Sequence, residues 1–447
     1  MINQILRDYS ESRPEDIFIN YNNHNITYGD MAYAVEGRIK SMQALNIQKG
    51  AIVGIYLGDS LNLLEVLFAC IEVQAHPLII PSSSTPKEIE DLNSSVDINY
   101  FITDWDRSKN IKIKNIPTFS IEELSPGIGG CAPSLICKPN DNQIACMLLT
   151  SGTTGKPKIA QISIQNIIES CKSWDARISF KNDDIYLNCL PLHHIGGLSI
   201  IFRSLLYGFK IILVDEFKKD DCINKIIQHK VSLISLVPTM LSRLLKTRQI
   251  VEVHEVLRAI ILSGSYCSTA LLQDAINKKL NIYKAYGMTE SSSGIAGFWV
   301  KDNLEYIESV GTPHNNINFK IANNHILIKG PAIIGSYYNG EKLDGWYDTY
   351  DRGYINSDGF LYVFGRDGQA ISGGENIDIQ EVKNIIASHP DIKDVFIQTI
   401  KDEEWGEKIV AYINSKTIDE DKLKKWLKTL ISNHKIPKEF IFINSVN

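Results

Sequence analysis

Residues 144–158, IACMLLTSGTTGKPK, join an apolar run to a loop rich in glycine, hydroxyl side chains and lysine. The apolar run Ile144–Leu149 predicts a buried strand that presents the loop at its end. Gly152 and Gly155 let the backbone approach a phosphate closely, while the hydroxyls and lysines can bind and neutralise its oxygens. The spacing between Gly152 and Gly155-Lys156 is too short for a Walker A loop, so a phosphate loop of another kind is predicted. A surface turn is the alternative for this segment alone.

Three further motifs follow the loop in order along the chain. They are Tyr286-Gly287-Met288-Thr289-Glu290, then Trp346–Asp351, then Gly365-Arg366-Asp367 leading into Ser372–Asn376. Each is weak alone, because a pentapeptide such as YGMTE also occurs as an ordinary turn. Together, in this order and spacing, they resemble the adenylate-forming superfamily of acyl-CoA synthetases, nonribosomal-peptide adenylation domains and luciferases. The resemblance extends from about Tyr28 to about Phe442.

Length and composition indicate a globular protein of more than one domain. The chain has 447 residues, 44% of them hydrophobic and 22% charged, which is more than one core usually supports. Its net charge of −6 offers no basic surface, so no nucleic-acid partner is expected. The start lacks a signal-peptide pattern, and the most apolar stretch, 195–214, carries Arg203 and Lys210, so no membrane insertion is expected. Eight cysteines without a C-x-x-C pair favour neither a metal cluster nor disulfides, which suits a cytoplasmic location.

Apolar runs alternate with amphipathic stretches over the first two thirds of the chain. This alternation predicts βαβ units and an α/β fold: a large N-terminal domain, 1–365, of mostly parallel sheets sandwiched by helices. Turn-rich residues 309–364 predict a small β-rich module within it. A small mobile α+β C-terminal domain is predicted over 366–447. The predicted strands are 52–57, 77–81, 185–190, 210–214, 232–236, 259–262, 394–399, 408–413 and 440–443, and the predicted helices are 61–73, 197–207, 221–229, 239–245, 379–388 and 419–432.

The resemblance implies an ATP site. In such enzymes a carboxylate attacks the α-phosphorus and displaces pyrophosphate, and because the carboxylate is already ionised, the protein supplies positioning and charge neutralisation. Thr289 and Glu290 match the family's contacts to the α-phosphate and to Mg²⁺, for which a carboxylate is a usual ligand. A solvated turn residue is the alternative for Glu290. The β- and γ-phosphates would be bound by Thr150, Ser151, Gly152, Thr153, Thr154, Gly155, Lys156 and Lys158, with Lys156 also in a catalytic role.

Other residues match the family's nucleotide pocket. Asp351 matches the ribose-binding aspartate, but Tyr350 stands where the family usually has glycine, and a positive φ there would strain a tyrosine. Arg366 matches an arginine that contacts the nucleotide and precedes the hinge, which is not assigned beyond Asp367. Tyr286 would stack on the base, with core packing as its alternative. The residues implied to line the adenine pocket are Gly264, Ser265, Tyr266, Tyr286 and Gly287.

The segment Leu190–Gly197, LPLHHIGG, matches an element in which His194 borders the acyl pocket; a structural histidine is the alternative. The sequence that follows, Gly197–Gly208, most resembles the o-succinylbenzoate–CoA ligases of menaquinone and phylloquinone synthesis, as does Glu404-Trp405-Gly406. Their substrate is aromatic with two carboxylates, and the spared one requires a cation. Arg203, inside an otherwise apolar helix, is the candidate. A surface arginine is the alternative. The substrate-binding residues thus implied are His194, Arg203 and Gly287.

The expected activity is that of an acid–CoA ligase with ATP, Mg²⁺ and coenzyme A as cofactors and a small-molecule acid as partner; a homodimer is left open. The alternatives are a ligase for another aryl or fatty acid, and an adenylate-binding protein with weak turnover. The chain stops at Ser445-Val446-Asn447, before the family's terminal lysine element, so slow adenylate formation is expected. Lys435 and Lys438 are expected to be surface charges.

Overall fold

The computed structural model describes residues 2–108, 116–124, 142–150, 158–340, 342–366, 369–402, 405–415 and 417–442. Its strands are, in chain order, β1 Ile17–Tyr21, β2 His24–Thr27, β3 Ile52–Tyr56, β4 His76–Ile79, β5 Tyr100–Thr103, β6 Thr118–Ser120, β7 Ile144–Thr150, β8 Lys158–Ser163, β9 Ile185–Asn188, β10 Lys210–Leu213, β11 Leu233–Leu236, β12 Ala259–Leu262, β13 Ile282–Met288, β14 Ser293–Trp299, β15 Thr312–Pro313, β16 Asn318–Ala322, β17 His325–Lys329, β18 Tyr347–Ile355, β19 Leu361–Arg366, β20 Gln369–Ser372, β21 Glu375–Asp378, β22 Asp394–Asp402, β23 Gly406–Asn414 and β24 Glu439–Phe442.

The helices connect these strands. They are α1 Ile2–Ser12, α2 Tyr28–Ala44, α3 Ser60–Glu72, α4 Pro86–Ser95, α5 Trp105–Ser108, α6 Ile164–Ile178, α7 Ile195–Tyr207, α8 Lys219–His229, α9 Pro238–Leu245, α10 Ile250–Val253, α11 Thr269–Asn277, α12 Ile379–Ala387 and α13 Glu420–Leu427.

Two large sheets form the body of the protein. The first has the strand order β15-β14-β13-β12-β11-β9-β10-β1-β2 and is parallel from β13 to β1. The second has the order β6-β5-β3-β4-β7-β8 and is parallel except between β7 and β8. Parallel neighbours require crossover connections, and the helices between them supply these connections. The prediction of an α/β fold with mostly parallel sheets is confirmed.

A layer of helices lies between the two sheets. One apolar core joins side chains of α2, α3, α6 and α7 to strands of both sheets, for example Val53 of β3 and Ile211 of β10. Each fully buried Leu, Ile, Val or Phe side chain in it contributes about 1.5–3 kcal/mol relative to exposure. The helical layer therefore holds the two sheets together.

Local signals fix how the two helices nearest the site begin. Ser163 and Asn166 form a capping box at the start of α6, and the Asn166 amide also donates to the carbonyls of Pro331 and Ile333. Gly197 lies in the first turn of α7, where a Cβ would come within 2.5 Å of the carbonyl oxygens of residues 190 and 191. A side chain at Gly197 is thus excluded, and the loop before α7 packs directly on the helix.

The C-terminal part has smaller sheets. Strands β16-β17-β18-β19 form an antiparallel sheet, which matches the predicted β-rich module. Strands β21-β20-β23-β22 form another, with β24 parallel to β23, and a separate apolar core including Ile377, Val382 and Leu423 packs against it. The boundary between domains 1–365 and 366–447 stays a prediction.

Two expectations for the last segment are wrong. The helix predicted over 419–432 ends at Leu427, because Thr429 turns back to donate its hydroxyl hydrogen to the carbonyl of residue 426, and Ser432 instead contacts Glu88 of α4. Lys435 is not a surface charge: its side chain is 16% exposed.

In the parts of the chain that the structure describes, no helix combines the length and apolar character needed to cross a membrane.

Candidate functional site

Asp351 of β18 is the centre of a hydrogen-bonded group. Its carboxylate accepts from the Tyr286 hydroxyl at 2.6 Å and from two nitrogens of Arg366 at 3.1 and 3.3 Å. Burial, and then the Asp351 charge, raise the pKa of Tyr286, which stays a neutral donor. Burial by itself would lower the pKa of Arg366, but the negative charge of Asp351 has the larger effect, and the pKa of Arg366 is raised. Three residues distant in sequence therefore form one charged, hydrogen-bonding surface.

The backbone before Asp351 adopts the geometry that the sequence made doubtful. Tyr350 has φ +60°, in the left-handed region, which costs a residue with a Cβ about 1–2 kcal/mol. Two local bonds hold this conformation: the Tyr350 amide donates to Asp348 at 2.7 Å and the Asp351 amide to Thr349 at 3.1 Å. The tyrosine is tolerated, and its side chain remains 42% exposed.

Glu290 lies at the end of β13 in a short 3₁₀ turn with Thr289. One carboxylate oxygen accepts from the Tyr337 hydroxyl at 2.7 Å, and Tyr337 is 2.7 Å from the Tyr347 hydroxyl. Burial and then the Glu290 charge raise the pKa of both tyrosines, so they remain neutral hydrogen-bond donors. The second oxygen of Glu290 has no hydrogen-bond partner within the described ranges, so the carboxylate is oriented yet keeps a free oxygen for a cation.

The two ends of the predicted phosphate loop lie beside this group. The Lys158 ammonium is 5.3 Å from the ring centre of Tyr337 and 5.9 Å from that of Tyr350. The Thr150 hydroxyl is buried without a hydrogen-bond partner in the described chain. A ligand oxygen would satisfy this hydroxyl. The predicted loop residues Ser151, Gly152, Thr153, Thr154, Gly155 and Lys156 lie outside the described residues.

The predicted adenine-pocket residues occupy adjacent strand ends. Gly264 has φ +92°, and the Ser265 hydroxyl after it is buried and unpaired among the described residues. Tyr266 is 55% exposed, and the Lys401 ammonium lies 5.3 Å from its ring centre. Gly287 has a structural reason to be glycine, since a Cβ there would lie 2.2 Å from the carbonyl oxygen of residue 293.

His194 is the residue immediately before α7, and its side chain contacts the C-terminal sheet. Its Nε2 is 2.9 Å from Oε1 of Glu375, the first residue of β21. Burial opposes both charges, but the carboxylate raises the pKa of His194, and the histidine lowers the pKa of Glu375 to about 2. Burial, and then the neighbouring His194 charge, lower the pKa of His193 to about 3, so that ring is neutral. His194 therefore forms an ion pair that joins two parts of the fold.

Arg203 is buried inside α7, so the surface alternative is wrong. Its side chain is 1% exposed, donates to the Ser293 hydroxyl at 2.9 Å and lies 4.5 Å from the ring centre of Trp174. Its Nε has no hydrogen-bond partner, and no carboxylate pairs with it, in the described part of the chain. Burial lowers the pKa of Arg203. Such an unpaired buried cation is costly unless a ligand supplies the counter-charge.

Glu88 of α4 fastens the C-terminal segment to the large domain. It accepts from the Ser432 hydroxyl at 2.6 Å and lies 3.3 Å from the Lys435 ammonium, which is also 2.8 Å from Glu381. Burial opposes these charges, but the carboxylates raise the pKa of Lys435. Lys435 is therefore a bridge between two carboxylates on different elements.

Several of these contacts were not predicted. Glu375 and Tyr347 stand in quoted motifs without an assigned role, and Tyr337 and Glu88 lie outside every motif. The partner of Glu375, His194, lies across the domain interface, and no local signal in the sequence marks this contact. Arg203, by contrast, was detectable as a charge in an apolar helix.

The chain matches the family model described as AMP-binding enzyme over residues 6–338, and that of the AMP-binding enzyme C-terminal domain over 381–447. The 2-succinylbenzoate–CoA ligase of Bacillus subtilis (strain 168) is 29% identical over 98% of this chain and 93% of the relative.

Two solved structures of the o-succinylbenzoate CoA synthetase of Bacillus subtilis are similar to this one. A double mutant bound with its product analogue OSB-NCoA has a TM-score of 0.90 at 27% identity, covering 99% of this chain and 95% of that one. The same enzyme in complex with the acyl-adenylate intermediate OSB-AMP has a TM-score of 0.76 at 28% identity, with the same coverage.

Proposed function

Because the chain belongs to the AMP-binding enzyme family, we propose that it is an ATP-dependent acid–CoA ligase that converts o-succinylbenzoate to its CoA thioester through an acyl-adenylate, as a step of menaquinone synthesis. The near full-length similarity to ligases of this substrate supports the reaction. The buried Arg203 carries the choice of acid, because its charge lacks a carboxylate partner among the described residues.

The acid would be activated at one carboxylate and held by the other. The spared carboxylate pairs with Arg203 and accepts from the Ser293 hydroxyl that Arg203 now contacts at 2.9 Å. Because the activated carboxylate is ionised at neutral pH, no general base is needed. His194 borders the pocket, and its ion pair with Glu375 orients the ring at the entrance to α7.

Asp351 would bind the ribose hydroxyls of ATP. A carboxylate has about four acceptor sites, and Tyr286 and Arg366 already use three of them. Two ribose hydroxyls therefore require at least one present donor to leave. Arg366 is the candidate to move, since it lies at the junction with the C-terminal sheet and can contact the nucleotide instead.

The remaining ATP contacts follow from the same surface. Gly264, Ser265, Tyr266 and Gly287 would line the base, and Thr289 would contact the α-phosphate. Lys158 and the Thr150 hydroxyl would bind the outer phosphates together with loop residues 151–156. Glu290 fits a Mg²⁺ ligand, because Tyr337 holds one of its oxygens and leaves the other available. When bound, Mg²⁺ neutralises phosphate charge.

The test is direct product detection. The protein is incubated with ATP, Mg²⁺ and CoA and with o-succinylbenzoate, a monocarboxylic aryl acid or a fatty acid, and acyl-AMP and acyl-CoA are measured by mass. We expect both products with o-succinylbenzoate and far less with the other acids. Equal products with a fatty acid would contradict the substrate, and acyl-AMP without acyl-CoA would contradict the ligase activity.

A further inference from the structure

Three potential metal ligands converge where the large domain meets the C-terminal sheet. His193 and His194 precede α7, and Glu375 begins β21. One ligand atom from each of the three lies within 4.8 Å of the other two. Within the described ranges, no other set of His, Cys, Asp or Glu side chains comes together in this way.

The ion pair between His194 and Glu375 does not explain the third member of the group. The His193 ring lies against the His194 ring, with 4.4 Å between centres, but has no hydrogen-bond or ion-pair partner among the described residues. Two imidazoles and one carboxylate are a common zinc ligand set. Glu375 supplies one negative charge to the group, and Lys435 is already paired with Glu88 and Glu381.

The distances suit one ion after small side-chain rotations. Imidazole nitrogens and carboxylate oxygens bind Zn²⁺ at about 2.0–2.2 Å, so tetrahedral ligand atoms lie about 3.4 Å apart. His194 and Glu375, at 2.9 Å, would separate slightly as the metal replaces their shared proton. The ligand nitrogen of His193, which lies within 4.8 Å of the ligand atoms of the other two residues, would move toward them.

We infer that His193, His194 and Glu375 form a binding site for Zn²⁺ or a similar divalent transition-metal ion, which ties the C-terminal sheet to the large domain. Imidazole and carboxylate ligands select this class of ion over Ca²⁺ or Mg²⁺. Binding does not depend on the proposed ligase function. The effect of the ion on turnover does depend on that function. An ion that bridges the two domains would hold the present domain arrangement and slow a reaction that requires a different arrangement.

The experiment uses the full chain freed of metal and titrated with Zn²⁺ against a chromophoric chelator, with Co²⁺ as a spectroscopic probe. We expect one equivalent of Zn²⁺ and a Co²⁺ visible band typical of low coordination number. His193→Gln and Glu375→Gln should each weaken Zn²⁺ binding at least about tenfold and remove the Co²⁺ band. His24→Gln is the matched control, because His24 is exposed on β2.

The melting temperature of each variant, measured with and without Zn²⁺, is a second readout of metal binding. Zn²⁺ should raise the melting temperature of the parent and of His24→Gln but not of His193→Gln, and His193→Asn replaces that variant if it fails to fold. Unchanged Zn²⁺ affinity in both ligand variants, or binding weaker than about 1 mM in the parent, would overturn the site. An active ligase whose turnover is unaffected by saturating Zn²⁺ would overturn the bridging role, while absence of ligase activity would concern only the proposed function.

Discussion

Replacing Arg203 by methionine tests substrate recognition and core packing together. Methionine keeps much of the side-chain length but removes the charge, the 2.9 Å hydrogen bond to Ser293 and the stacking on Trp174. A charge-assisted hydrogen bond contributes about 1.5–3 kcal/mol, so KM for o-succinylbenzoate should rise about ten- to a hundredfold. KM for a monocarboxylic aryl acid should change little, because that acid has no second carboxylate.

The same change should not weaken the fold. Arg203 is buried without a counter-charge among the described residues, and an apolar side chain in its place removes a desolvation penalty. The free energy of unfolding of Arg203→Met is therefore expected to equal or exceed that of the parent. The measurements are urea unfolding and the rate of pyrophosphate release against acid concentration for both acids.

Arg258 provides the matched control. Its guanidinium lies 2.6 Å from Asp184 and also donates to the carbonyls of residues 178 and 179. Unlike Arg203, it therefore has a carboxylate partner within the protein. Arg258→Met should cost about 3–5 kcal/mol in unfolding free energy, as for a broken buried ion pair, with unchanged KM for either acid. An equal rise of KM for both acids in Arg203→Met would contradict the role of Arg203 in binding the second carboxylate. A loss of stability like that of Arg258→Met would contradict the claim that Arg203 is buried at a cost to the fold.

Three other predictions concern the cation site and the domain contacts. Glu290→Gln should lower Mg²⁺-dependent ATP–pyrophosphate exchange at least about a hundredfold with unchanged melting, since an amide is a poor ligand for a hard cation. Glu88→Gln, which breaks the bridge to Lys435, should slow thioester formation from supplied acyl-adenylate more than it slows adenylate formation. The His194–Glu375 pair should stabilise the fold most between about pH 4.5 and 6.5, and His194→Gln should flatten this pH dependence in urea unfolding.

The sign of the pH effect follows from the two shifts. The pKa of Glu375 is lowered from 4.5 to about 2, so its contribution to the free energy of unfolding is present above pH 4.5 and is lost as pH falls toward 2. The pKa of His194 is raised from 6.5, so its contribution is present below pH 6.5 and is lost as pH rises through the raised value. His193, with a pKa of about 3, stays neutral across this window, and burial lowers the pKa of the neighbouring His434.

Each of these predictions has an outcome that would contradict it. Normal exchange activity in Glu290→Gln would remove that residue from the cation site. For Glu88→Gln the control is Lys87→Gln, which alters an exposed pair on the same helix; equal slowing of both half-reactions would contradict a positioning role. Parallel pH–stability curves for His194→Gln and the parent would show that the ion pair does not control stability.

The sequence alone determined the fold class and most of the elements that carry the site. Strands β9 to β12 and helices α7 to α9 lie where the apolar runs predict them, because burial on both faces of a parallel sheet leaves a continuous apolar run. The family motifs singled out Asp351, Glu290 and Arg366. Arg366 is the last residue of β19, Glu290 follows the end of β13, and Asp351 lies in the middle of β18. A buried strand and a charged residue in an apolar helix can both be recognised from the residues that surround them in the sequence.

The tertiary structure alone decided which of these residues meet. The pairs His194–Glu375 and Glu88–Lys435 join residues 181 and 347 positions apart, and neither side of either pair marks its partner in the sequence. The burial of Arg203 is likewise a matter of packing, since the same arginine on an outward face would reach water. Contacts across domains depend on how separate cores are placed against each other, and no periodicity within either core records that placement.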